Sequence, residues 1–314
     1  MRSRQGEDSG KGARAARPLA RVPSSREAAT LGRALAGCWW HGGVLEGSVA
    51  AAMVAGTAAL AGWPLDASLL ALAFCGTLLV YYLDRTPALS PEDWRDHPAR
   101  WRWRHEHRRW AAALALGAAG GACTALPYLR PQTLAAGTVL AGPAAAYALP
   151  LFGGREGRPA RRLKDIGAAK PFAVASAWAG ASVLLPALES GPPLGAATPR
   201  LGLLVGYRML FVLPNLLLAD AAALAGDRRA ALLRSPRRLR CLAAGALALA
   251  LAGGGLAVAL GGAPLLLVAE LPAPALLLAG VATRPAGRPL ARAADLAMLA
   301  PALPMAWRAA EGLL

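Results

Sequence analysis

Lysine is almost missing. Lys11, Lys164 and Lys170 are the only three among 34 basic residues, so arginine carries a net charge of +16. Cysteine is scarce too. Cys38, Cys75, Cys123 and Cys241 have no close pair spacing and lie in or beside apolar runs, which points to buried free thiols rather than a disulfide framework or a thiolate zinc site. Residues 1–34 lack the apolar core of a secretory signal, being rich in Arg, Gly and Ser instead. They read as a disordered basic cytoplasmic tail. Sustained alternation of polar and apolar residues is also missing, which excludes an ordinary soluble domain.

What is present is apolar sequence. The chain is 56% hydrophobic with a positive mean hydropathy. Its Ala/Leu-rich runs fall near 44–62, 66–83, 110–127, 132–152, 171–188, 201–221, 241–261, 263–281 and 291–310. Each approaches the ~20 residues a helix needs to cross the hydrocarbon core. The fold class expected is all-α: a polytopic membrane helical bundle of about nine transmembrane helices, in one domain over 35–314. Pro143 interrupts the fourth run, and Pro272 and Pro274 the eighth. Basic segments (84–109, 153–170, 222–240, 282–292) alternate with connections that hold only Arg130 and Arg200. By the positive-inside rule the N-terminus lies inside and the C-terminus outside. Arginine placed this way sets topology, so nucleic acid is not an expected partner. Arg-for-Lys usage and abundant Ala suggest GC-rich coding and a bacterial inner membrane.

Two stretches carry chemistry. Tyr81 to Trp110 holds five carboxylates among seven arginines and follows an apolar run directly. Asn215 to Arg229 repeats the pattern: an apolar helix, Asp220, then Gly-Asp-Arg-Arg. Asp227 lies about two helical turns beyond Asp220, so the two share a face if the helix continues. Carboxylates from two helices can hold Mg²⁺ against a diphosphate, because Mg²⁺ takes hard oxygen ligands and bridges phosphates. Arg85, Arg228 and Arg229 stand beside them as phosphate contacts. For any one of these residues alone, a marker of the membrane interface explains as much.

The two stretches resemble the paired Asp-rich motifs of the UbiA superfamily of intramembrane prenyltransferases. Tyr81-Tyr82-Leu83-Asp84-Arg85 is similar to the first motif. Asn215 to Arg228 is similar to the second, opened by Asp220 and closed by Gly226-Asp227-Arg228. Arg162-Leu163-Lys164-Asp165 through Lys170 and Trp178 resembles the family's linker and fifth helix. The resemblance implies a Mg²⁺-dependent transfer of a prenyl group from a prenyl diphosphate to a lipophilic acceptor at the cytoplasmic face. Asp84, Asp220 and Asp227 would position metal, and Arg85, Lys170 and Arg228 would meet phosphate. The family's first motif carries an Asn near Tyr82 and a second Asp where this chain has Ala88; its second motif has a middle Asp where this chain has Ala223. Ala88 and Ala223 favour an alternative: a diverged relative that binds isoprenoid or another lipid without transferring it. Glu92, Asp93 and Asp96 are candidates to replace the first lost carboxylate.

Other signals need separate readings. His97, His105 and His107 fall short of the His boxes of membrane di-iron desaturases, since the chain has four His in total. His105 and His107, two apart, also point to different helix faces. The reading preferred for this loop is interfacial, with Trp101, Trp103 and Trp110 as headgroup anchors. No D-G-x-x-A-R signature of a CDP-alcohol phosphatidyltransferase is present. Gly117-x-x-x-Gly121 would allow close helix packing. Arg208 and Glu270 fall inside the sixth and eighth runs, each about 10 Å from the outer end. Charge at that depth is expensive unless paired, so a buried pair between them is expected. A transport pathway through them is the lesser reading.

Overall fold

The computed structural model describes residues 25–86, 98–148, 169–190, 194–226, 235–285 and 287–311. The chain divides into two compact units, Met1–Ala36 and Gly37–Leu314. Of the first unit, the described residues are helical: they open α1 (Ser25–His41), so the end of the segment read as a tail is ordered helix.

Among the described residues all regular structure is helical. After α1 come α2 (Val44–Ala61), α3 (Ala67–Asp84), α4 (Pro98–Glu106), α5 (Arg108–Ala125), α6 (Pro131–Ala148), α7 (Ala169–Ser190), α8 (Leu194–Gly226), α9 (Pro236–Ala259), α10 (Pro272–Thr283), α11 (Arg288–Ala297) and α12 (Leu303–Glu311). Seven helical stretches are long and apolar enough to cross a membrane: Val44–Ala61, Ala67–Asp84, Arg108–Tyr128, Lys170–Ser190, Pro199–Leu224, Pro236–Ala259 and Leu265–Thr283. The protein is an integral membrane protein of helical type.

The other two apolar runs behave differently. α6 passes through Pro143 without a break, but its first turn is polar (Gln132, Thr133). The run at 291–310 splits into α11, a 3-10 turn at Ala300–Ala302, and α12. Pro301 and Pro304 have no N–H to donate and clash with the preceding turn, and the close pair favours the break seen there. Pro272 acts similarly: it starts α10 at N1, after a 3-10 turn over Leu265–Ala269.

Local chemistry fixes the helix ends. Asp66 accepts a 2.6 Å hydrogen bond from the Leu69 N–H and so caps α3. Gly62 ends α2 at φ 75°, a left-handed position that suits glycine. α2 is buried almost all round, packing against α3, α7, the Ala300–Ala302 turn and α12. Close approach there needs glycine: a Cβ at Gly56 would stand 2.0 Å from the Pro301 carbonyl oxygen, and one at Gly47 would stand 2.9 Å from that of Phe74. The Gly117/Gly121 pair shows half of this behaviour. Gly121 meets Cys75 Sγ, while Gly117 faces open space.

Arg208 and Glu270 pair as expected. Arg208 Nη1 donates to Glu270 Oε2 at 2.5 Å and Nη2 donates to Oε1 at 3.0 Å. Both side chains are 0% exposed. The pair ties α8 to the turn before α10 and lies against α2, with Arg208 Nη2 3.1 Å from the point a Gly56 Cβ would occupy. A two-pronged geometry of this kind satisfies the carboxylate best in an apolar interior.

Contacts between successive helices bring the described parts of the basic segments to one end of the second unit. Gly43 meets Tyr81, Arg104 reaches Tyr82, Lys170 meets Asp220, and Arg240 donates to the Val281 and Arg284 carbonyls at 2.6 Å each. The opposite end holds the Asp66 cap and Glu189, which accepts from the Arg130 N–H at 3.1 and 3.3 Å.

Candidate functional site

The basic end is built from helix termini. Arg85 follows the last residue of α3 and is buried. It forms an ion pair with Glu46 from the first turn of α2, and its Nη1 donates to the His41 carbonyl at 3.3 Å. Its guanidinium also lies 4.7 Å from the Tyr81 ring centroid. Glu46 is well placed for this, because the helix N-terminus favours negative charge. Sequence reading made Arg85 a phosphate contact; the structure engages it with Glu46, His41 and Tyr81.

A second polar layer lies beside this pair. Asp295 of α11 lies near Asn215 of α8, with Glu46, Arg85 and Arg292 close enough to act on it electrostatically. Arg292 sits over the Trp40 ring at 5.5 Å. Glu46 Oε2 and Asn215 Oδ1 are buried without a hydrogen-bond partner among the described residues. His41 closes the layer. Burial, and then the charges of Arg100, Arg85 and Arg292, push its pKa below the ordinary imidazole value, so it stays neutral among cations.

Lys170 of α7 and Asp220 of α8 meet at 3.4 Å, each side chain partly exposed. Sequence reading placed them in one site, and the structure brings these two together. Asp84 ends α3 half-buried beside Arg85. Ala223, where the resemblance expects a carboxylate, is exposed on α8. Asp227 and Arg228 lie outside the described residues, as do Ala88, Glu92, Asp93, Asp96, His97 and Arg162 to Asp165.

The implied Mg²⁺ can be set against this arrangement. Among the described residues no three His, Cys, Asp or Glu side chains converge closely enough to hold a metal ion. Asp220, one of the implied ligands, already has the Lys170 ammonium beside it. The described residues alone therefore do not make up a Mg²⁺ site; Asp227, the third implied ligand, lies outside them. What they offer is a basic end with Lys170 partly accessible and Arg85 held by an acid.

The Trp reading needs correction. Trp103 is 7% exposed and packs on Cys38 and Ala111, so it is a core residue, not a headgroup anchor. Trp101 and Trp110 are exposed, at 42% and 46%. Trp101 and Trp103 are two apart on a helix, some 200° around it, so both cannot face the same side.

Sequence reasoning missed His41, Glu46, Asn215 as a side-chain partner, Arg292 and Asp295. A signal existed for two of them. Glu46 and Asp295 are acids inside apolar runs, the criterion that singled out Arg208 and Glu270.

Compared with protein-family models, curated proteins and solved structures, the chain matches none.

Proposed function

We propose that this protein is a UbiA-like membrane prenyltransferase. It takes a prenyl diphosphate at the basic end and passes the prenyl group to a lipophilic acceptor. The observation that carries this reading is the Lys170–Asp220 contact, because it joins a cation and a carboxylate from two separate sequence stretches that the resemblance assigns to one diphosphate site. On this reading the chain crosses the bacterial inner membrane nine times, with α11, the Ala300–Ala302 turn and α12 together making the ninth crossing. The basic end and the N-terminus face the cytoplasm.

The chemistry asked of the site is modest. The C1–O bond of the prenyl diphosphate breaks with its electron pair leaving on diphosphate, and the acceptor's electron pair forms the new bond at C1. Lys170 and Arg228 meet the leaving phosphates as charge builds on them. Apolar helix walls shield the allylic cation from water. Mg²⁺ is part of this proposal only through Asp84 and Asp220 together with Asp227.

A second reading is favoured by one observation: two of the cations that the resemblance assigns to phosphate already face an acid, Arg85 with Glu46 and Lys170 with Asp220. A protein that binds isoprenoid without transferring it needs no more than this. Incubating membranes that hold the full chain with radiolabelled farnesyl diphosphate and a lipid extract separates the two readings. Transfer releases diphosphate and moves label into the extract, and Lys170→Ala abolishes both. Binding without release supports the second reading. Neither binding nor release contradicts both.

A further inference from the structure

The junction of α4 and α5 has two faces with different fates. Its inward face is fixed: Trp103 is buried, and Arg104 donates to the Tyr82 carbonyl at 2.9 Å while lying over the Tyr82 ring at 4.4 Å. Its outward face is bare. Trp101, Arg102, His105 and Glu106 are exposed on α4, followed by Arg108, Arg109 and Trp110 at the start of α5. Trp101 and His105 stack nearly parallel, 5.3 Å between centroids and 7° between planes, which makes a flat aromatic plate. Among the described residues Arg102, Arg108 and Arg109 have no ion-pair partner. Residues 98–110 hold five arginines against one glutamate.

The depth of this face follows from what comes next. The α5 span begins at Arg108, so the plate lies level with lipid headgroups rather than with the acyl core. Trp is favoured at that level, with its ring in the interface. Arginine presents a planar fork that matches phosphate oxygens and gives up its hydration readily. A local excess of arginine attracts an anionic headgroup and gains little from a zwitterionic one, whose ammonium cancels its phosphate.

We infer that the outward face of the α4–α5 junction is a docking surface for an anionic phospholipid, with Arg102 and Arg109 on the phosphate and Trp101 and Trp110 against the glycerol and upper acyl region. The site is separate from the Lys170–Asp220 contact and stands whether or not prenyl transfer is correct. It fixes α4 to the membrane surface, and with it the Arg104–Tyr82 contact that holds the end of α3 in place.

The test is native mass spectrometry of the detergent-solubilised full chain, titrated with dioleoylphosphatidylglycerol or dioleoylphosphatidylcholine. Phosphatidylglycerol is expected to bind in clear preference. Arg102→Gln with Arg109→Gln is expected to weaken it about 25-fold, from about fivefold per arginine. Arg237→Gln with Arg238→Gln, two exposed arginines that open α9 at the same end, is expected to leave it nearly unchanged. Trp101→Ala is expected to weaken both lipids. Equal binding of the two lipids by the wild-type chain would overturn the inference, as would equal losses in the two double variants. Displacement of the lipid by an equal concentration of glycerol 1-phosphate would also overturn it, since the face would then read free phosphate.

Discussion

Cutting the Arg208–Glu270 pair is the sharpest perturbation of the fold. Both side chains have no exposure, and two hydrogen bonds of 2.5 and 3.0 Å join them. Arg208→Met leaves a buried carboxylate facing no cation, and Glu270→Leu leaves a buried guanidinium facing no acid. Each single change should cost about 3–5 kcal/mol, most of it the burden of the orphaned charge rather than the worth of the bond. The double variant Arg208→Met/Glu270→Leu removes both charges and replaces them with groups of similar reach. It should lie within about 1 kcal/mol of wild type or above it. The sum of the single losses should thus exceed the double loss by at least about 5 kcal/mol. Unfolding in bicelles by SDS titration, followed by circular dichroism, reads all four species. Singles that each cost under about 1 kcal/mol, or a double that loses as much as the two singles together, would refute the reasoning that each buried charge depends on the other.

Other outcomes follow from the same geometry. Gly56→Ala should destabilise by about 1–3 kcal/mol, because its Cβ would meet the Pro301 carbonyl, whereas Gly76→Ala, with nothing within 4 Å, should be neutral or slightly stabilising; thermal melts in detergent compare them. Asp66→Ala removes the α3 cap and should cost about 1 kcal/mol in the same melts. His41 has a folded pKa below its unfolded value, so below about pH 6.5 the unfolded chain binds the proton more readily. Stability should fall as pH drops from about 6.5 through the folded pKa, and His41→Gln should flatten that part of the pH profile.

Much of the architecture was legible because membrane helices write their constraints into composition. Length and apolarity located the seven spanning stretches, and the alternation of arginine-rich with bare connections matches the gathering of the described parts of the arginine-rich ones at one end. The Arg208–Glu270 pair was legible for the same reason: a charge deep in an apolar run needs a partner, and each residue was the candidate for the other. The ninth run was harder. Its hydropathy is continuous, but Pro301 and Pro304 break the hydrogen-bond ladder and Pro301 then packs by its carbonyl against Gly56, a contact no periodicity reveals. Of the candidate site, the resemblance joined Lys170 to Asp220, and these two do meet. Glu46 and Asp295 escaped because motif reading looked for carboxylates at the far ends of the apolar runs and not near their starts. Arg85 shows the general limit. Its position at a helix end was evident, but which acid would reach it depends on how α2 lies against α3.

The central claim is a diphosphate site at the basic end. Equilibrium binding of farnesyl diphosphate to the detergent-purified full chain, with and without Mg²⁺, tests it most directly, with Lys170→Ala, Asp220→Asn and Asp227→Asn alongside. The account predicts saturable binding that weakens at least tenfold in Lys170→Ala, a loss of about 1.4 kcal/mol or more. It also predicts that Mg²⁺ tightens binding in the wild-type chain but not in Asp227→Asn. Binding that is absent in the folded wild-type protein, or indifferent to Lys170→Ala, would contradict it.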